Sequence, residues 1–216
     1  LAAAFTSMTR CRSIPALSWA DRTGTTMSVE LRKAPDPAAQ AGLLRFLSRI
    51  LLRELDEDLV RVLRQPEVRE ILIKADPTIA DFLDGELSHA DLEEADVEFC
   101  RLFVVPGTCL PVASAWLDRT GEGNAASPEG AVAGVIGKLI ESQELDLSAD
   151  LKSTPLDHIS VALEIAAWLE LETDAAEARE FRSAVLQSWV APFANKLGRE
   201  AGHPVYRAAG RLLSEA

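Results

Sequence analysis

Along most of this 216-residue chain, apolar positions recur every three or four residues, the spacing that collects them on one face of an α-helix. Leu43, Leu44, Leu47, Ile50, Leu51 and Leu55 predict an amphipathic helix over about 37–55. Val60, Leu63, Val68, Ile71 and Leu72 predict two shorter helices parted at Pro66. A more acidic helix is expected from about Ser88 to Phe103, with Leu92, Ala95, Phe99, Leu102 and Phe103 as its apolar stripe. Residues 104–126 gather Gly, Pro, Asn and Ser without a period and predict a long connection. Helices are expected again over about 128–144, 155–172, 175–202 and 203–215.

Asp36-Pro37, Asp76-Pro77, Ser127-Pro128 and Thr154-Pro155 each place a capping side chain directly before a proline. Proline at the first helical position loses no hydrogen bond the helix needs, and the preceding oxygen caps free amides. No run alternates with the two-residue period of a strand, and no internal repeat of solenoid length is visible. The expected fold is therefore all-α: a single-domain helical bundle with a long mid-chain loop.

Composition narrows the function. Nearly half the residues are apolar and about a quarter charged, as in ordinary globular chains. The net charge of −12 argues against nucleic acid as a partner, since phosphate backbones need clustered Lys and Arg. It suits a basic peptide, because complementary charge steers encounter. Cys11, Cys100 and Cys109 form no C-x-x-C, so neither a disulfide framework nor a zinc knuckle is signalled. Free thiols in a reducing cytoplasm are expected. No membrane span is expected, since no run approaches the roughly 20 apolar residues one requires. Residues 1–26 carry three arginines against one acid, net +2, which leaves −14 on residues 27–216. They are expected to be a disordered or non-native extension, with the folded domain starting near Met27 and running to residue 216.

Two stretches stand out as candidate sites. The first is Glu98-Phe99-Cys100-Arg101-Leu102-Phe103 followed by Pro106-Gly107; the second is Pro155-Leu156-Asp157-His158-Ile159 with Leu163-Glu164. Neither has the pattern of a reaction centre. Adjacent residues on a helix point about 100° apart, so Asp157 and His158 do not form an acid–base dyad. Thr154-Pro155-Leu156-Asp157 has the form of a capping box, with Asp157 at the third position near the positive end of the helix dipole. A recognition role can coexist with that cap. His89 and His203 are far apart, the single Glu86-Leu87-Ser88-His89 unit is half of what a di-iron bundle would need, and no phosphate-binding glycine loop or G-x-S-x-G is present. No catalytic residues, metal ligands or cofactors are predicted.

In order and spacing the two stretches resemble the signatures of the TorD/DmsD-type chaperones, which assist maturation of molybdenum-cofactor oxidoreductases. The similarity runs from about residue 40 onward. It includes the proline-led segment Pro111-Val112-Ala113-Ser114-Ala115-Trp116-Leu117 and the tail residues Phe181, Trp189, Phe193, Leu197, Ala201 and Tyr206. The resemblance implies a cytoplasmic all-helical chaperone without turnover. Its partner would be the catalytic subunit of a molybdopterin oxidoreductase, bound through the twin-arginine leader or another part of the apo form until cofactor is inserted. By matching positions, Phe99, Leu102 and Phe103 would line the leader site, with Trp116 in the loop and Pro155, Asp157 and His158 as the opposite wall. Glu98, Arg101 and Glu164 would hold the architecture. Val112 and Ala113 stand where many members carry an aromatic and an acid, and Pro106-Gly107 reverses a common glycine–proline order. Both departures bear on which client is bound. The competing readings are a helical scaffold indifferent to such leaders and a metal-dependent enzyme using Asp157, His158 and Glu164. A monomer and a domain-swapped dimer are both compatible with the long connections.

Overall fold

The computed structural model describes residues 8–9, 36–117 and 128–215. The expected extension over 1–26 thus falls outside the described residues, Met8–Thr9 excepted, as do Ser127 and the 118–127 part of the predicted connection. The described residues form eleven α-helices: α1 Pro37–Leu52, α2 Glu57–Leu63, α3 Pro66–Ala75, α4 Ala80–Asp84, α5 His89–Phe103, α6 Pro128–Ser142, α7 Ala149–Lys152, α8 Ile159–Glu172, α9 Ala175–Phe181, α10 Val190–Glu200 and α11 Pro204–Glu215. The one sheet element is a pair of two-residue strands, β1 (Met8–Thr9) and β2 (Asp146–Leu147), joined antiparallel. The fold is all-α, as the spacing of apolar residues predicts.

Helix α8 is the hub. Every residue from Ile159 to Leu169 is buried, the polar Ser160 and Glu164 included, so the helix is enclosed on all sides rather than along one stripe. It packs along α1, whose Leu44, Leu47, Ile50 and Leu51 are fully enclosed. Each such side chain stabilises the fold by about 1.5–3 kcal/mol relative to exposure. Two polar ties cross this pair: Ser48 and Ser160 exchange hydroxyl-to-carbonyl bonds of 2.9 Å, and Arg45 Nε donates to the buried Glu164 at 3.2 Å.

Helices α10 and α11 form the second tight pair. A Cβ on Gly210 would lie 2.5 Å from the Gly198 backbone nitrogen, so only glycine permits this approach. Asp76 ties the pair to the rest: its buried carboxylate accepts from Thr78 and from Arg207 and Arg211 of α11. Asp76 therefore caps as expected, although it opens a short 3-10 turn over 77–79 rather than an α-helix. Asp36 caps α1 through Ala38 N at 3.1 Å.

Two helix expectations are corrected. The one over 155–172 begins only at Ile159, because His158, not Thr154, is its N-cap. The single helix over 175–202 is broken. α9 runs into a π turn over 182–186, closed by Gln187 N donating to the Arg182 carbonyl at 3.0 Å, and α10 starts afresh at Val190. Pro192 is the physical reason. In a continuous helix its ring would meet the carbonyl of Ser188 and its nitrogen could not donate, whereas the first turn of a new helix tolerates both.

Candidate functional site

The two sequence motifs occupy different kinds of position. On α5, Glu98 is buried and receives four donors. Arg101 Nε and Nη2 bind its two oxygens at 2.6 and 2.8 Å, and the backbone amides of Gly202 and His203 bind Oε1. Arg101 also donates to the Glu200 carbonyl at 2.7 Å. Burial alone would push the Glu98 carboxyl up, but these hydrogen bonds outweigh it and hold it below the usual carboxylate range. The result is a clasp between α5 and the α10–α11 turn.

Phe99, Leu102 and Phe103 face the same way. Their exposures are 6%, 0% and 6%. Phe99 and Phe103 meet edge-on at 5.1 Å between centroids, and Phe103 meets Tyr206 of α11 at 5.6 Å. These three side chains are core, and the surface they were expected to offer is not open. What lies at the surface is the next stretch: Val104 and Val105 are 48% and 77% exposed, ahead of a cis peptide bond to Pro106. Gly107 then folds the chain back so closely that a Cβ would sit 2.6 Å from the Leu102 carbonyl oxygen. Thr108 N and Cys109 N donate to the Arg101 and Leu102 carbonyls, closing the reversal.

The loop next crosses the second motif. Val112 and His158 form an antiparallel bridge, with Ile159 N donating to the Pro111 carbonyl at 2.8 Å and Ala113 N to the Asp157 carbonyl at 3.0 Å. Asp157 Oδ2 accepts from Ser114 N at 3.1 Å. Asp157 is therefore not the third residue of a capping box, as the sequence suggested; it lies before the helix and holds the loop. His158 supplies the cap: its Nδ1 accepts from Ser160 N at 3.1 Å. Burial pushes this imidazole down to about 4 against a weak opposing pull from Asp157, so the ring is neutral and can accept. Trp116 ends the crossing. Its Nε1 donates to the Leu110 carbonyl at 2.8 Å, and its ring sits edge-on to Phe193 at 5.7 Å with Lys196 Nζ 5.8 Å above the centroid.

Backbone pairing thus ties the loop that carries Trp116 to Asp157 and His158, whereas Phe99, Leu102 and Phe103 lie in the core, the two rings against Tyr206. Glu164 lies on the far side of α8 against Arg45, apart from Asp157. Sequence reasoning missed two contributors. One is Ser114, whose amide gives no sequence signal. The other is His203, which caps α11 as His158 caps α8, through Val205 N at 3.4 Å. His203-Pro204 has the same form as Asp36-Pro37 and could have been read. Among the described residues no helix is long and apolar enough to cross a membrane. No group of three His, Cys, Asp or Glu among them could hold a metal ion.

Fold and site together define a helical bundle whose mid-chain loop is clipped across the amino end of its central helix. The chain belongs to the family described as nitrate reductase delta subunit, whose model matches residues 65–195 and so spans both motifs. It is similar to the Chaperone protein TorD of Shewanella loihica (strain ATCC BAA-1088 / PV-4). That relative is 27% identical over 191 residues, 83% of this chain and 90% of the relative.

Proposed function

We propose that this chain is a cytoplasmic molybdoenzyme-maturation chaperone that binds the twin-arginine leader, or another part of the apo form, of a molybdopterin oxidoreductase and holds it for cofactor insertion before export. The family match and the similarity to a TorD chaperone support the class. The observation that carries the site is the clipped loop. Residues 111–114 of that loop are hydrogen-bonded to the segment carrying the exposed Pro155 and the half-buried Asp157 and His158, and the exposed apolar pair Val104–Val105 lies earlier in the same loop.

Asp157 carries the polar half of this reading. Oδ2 is engaged by Ser114 N, while Oδ1 has no hydrogen-bond partner among the described residues. A carboxylate with one oxygen anchored and one free is oriented to receive a guanidinium, which binds carboxylates through a planar fork. The apolar part of a leader would lie on Val104 and Val105, with Phe99, Leu102 and Phe103 stiffening the surface below. His158 is neutral and contributes shape rather than charge.

The test is titration of the purified chain with a synthetic twin-arginine leader and its double-lysine variant. Asp157→Asn keeps an oxygen for Ser114 N but removes the charge, and is expected to weaken the arginine leader about tenfold, the equivalent of ~1.4 kcal/mol. The double-lysine leader should lose a comparable factor on the native chain and little more on the variant. Equal affinity of all four combinations would refute the site.

A further inference from the structure

A cavity opens where the helix expected over 175–202 is broken. It is an open groove of about 340 Å³, within the size range of small-ligand pockets. Its floor is Leu44 of α1, Leu163 of α8, Leu186 of the π turn, Val190 of α10 and Leu213 of α11. Leu186 and Val190, four residues apart, fall on one helical face that runs through the π turn and forms this side of the cavity. π turns inside helices often accompany functional sites.

The rim has a definite polarity. Arg179, Arg182, Ser183, Gln187 and Ser214 supply it, and no lining residue is acidic in a chain of net charge −12. Arg182 is neutralised by Glu170. Arg179 lies near enough to the Asp174 carboxylate to help hold it below its usual range but makes no direct ion pair among the described residues; its Nε donates to the Ala175 carbonyl at 2.8 Å, and its two terminal amino groups have no hydrogen-bond partner among them. Ser183 donates to Gln187 Oε1 at 2.9 Å, which turns the amide nitrogen of Gln187 into an available donor. An apolar floor edged by a guanidinium with two unbonded amino groups and an amide donor is complementary to one kind of ligand.

We infer that this cavity is a binding site for a small amphiphilic anion, its carboxylate-type head on Arg179 and its apolar body on Leu44, Leu163, Leu186, Val190 and Leu213. The site shares no residue with the loop crossing, so it stands independently of the leader-binding reading. A guanidinium pairs bidentately with a planar carboxylate.

The experiment is isothermal titration of the full chain with octanoate, and with octanol as a neutral probe of the same length. Saturable one-to-one binding of octanoate is expected, weaker by about tenfold in Arg179→Ala, with octanol unaffected by that change. Ala191→Trp, at an exposed rim position, is expected to fill the cavity and abolish binding of both probes. Absence of saturable octanoate binding would overturn the site. Octanol binding as tightly as octanoate would overturn the charged head, and octanoate binding retained in Ala191→Trp would overturn the location. Both substituted residues are exposed, so circular dichroism identical to the native chain is expected for each variant.

Discussion

The Glu98 clasp and the Pro111–Ile159 crossing both tie distant parts of the chain together, but they do so with opposite resources. The clasp uses a side chain: one buried carboxylate satisfies two backbone amides of the α10–α11 turn and a guanidinium. The crossing uses backbone: paired amides and carbonyls fix the loop, and the Asp157 and His158 side chains only trim its edges. A buried carboxylate with all its donors in place has nothing left for a partner. A half-buried carboxylate with one oxygen engaged does. Motif residues of similar prominence in the sequence are therefore architecture in one region and candidate recognition surface in the other.

The sharpest way to break the comparison is Glu98→Ala. It leaves the exposed Arg101 without its carboxylate and the Gly202 and His203 amides, the second of them buried, without their acceptor, at an expected cost of about 2–3 kcal/mol. A urea midpoint unchanged from the native chain would show that the clasp is not structural. Glu98→Gln should recover part of the loss, since its oxygen can still accept from Gly202 N.

The two histidine caps connect the regions and give a pH test. Burial pushes His158 and His203 down to about 4 from an ordinary value near 6.5. In the unfolded chain each takes up a proton near pH 6.5; in the fold neither does until about pH 4. The unfolded state therefore binds more protons in that window, and stability rises with pH. It is fully present above about 6.5 and is lost as pH falls toward 4, by on the order of 1–3 kcal/mol per histidine. Urea midpoints at pH 7.5 and 5.0 measure it. His158→Asn retains an acceptor for Ser160 N without the titration and should flatten the dependence; a slope as steep as the native one would place its origin elsewhere.

The smallest effect is expected at Asp157. Asp157→Ala removes the bond from Ser114 N, which is only half-buried and can turn to water, so about 1 kcal/mol of stability is at stake. A loss as large as that of Glu98→Ala, read in the same urea titration, would make the second motif as architectural as the first.

Much of the fold was legible because it rests on local rules. The three- and four-residue spacing of Leu44, Leu47, Ile50 and Leu51 and the caps Asp36 and Asp76 need no knowledge of neighbours. The break at 187–189 was also written locally, in Pro192, but the apolar period continuing across it concealed the signal. The site was less legible. Phe99, Leu102 and Phe103 have the same aromatic and aliphatic character whether they face a groove or a core, and only the packing of Tyr206 against them decides. Thr154-Pro155-Leu156-Asp157 satisfies the spacing of a capping box. The helix starts later because Val112 pairs with His158 and takes the backbone of 157–159 into a bridge first.

Local sequence sets where most of the helices run, the caps Asp36 and Asp76, the acidic net charge and the two motifs that mark the family, because these depend on composition or on residues within a turn or two of one another. Tertiary structure alone decided which motif is buried, which carboxylate keeps a free oxygen, and that a cavity edged by Arg179 opens beside the π turn. Those outcomes depend on contacts between residues tens of positions apart, such as Ser114 with Asp157 and Glu98 with Gly202. No local period encodes such contacts; they exist only once loop-closure entropy has been overcome by burial of the core.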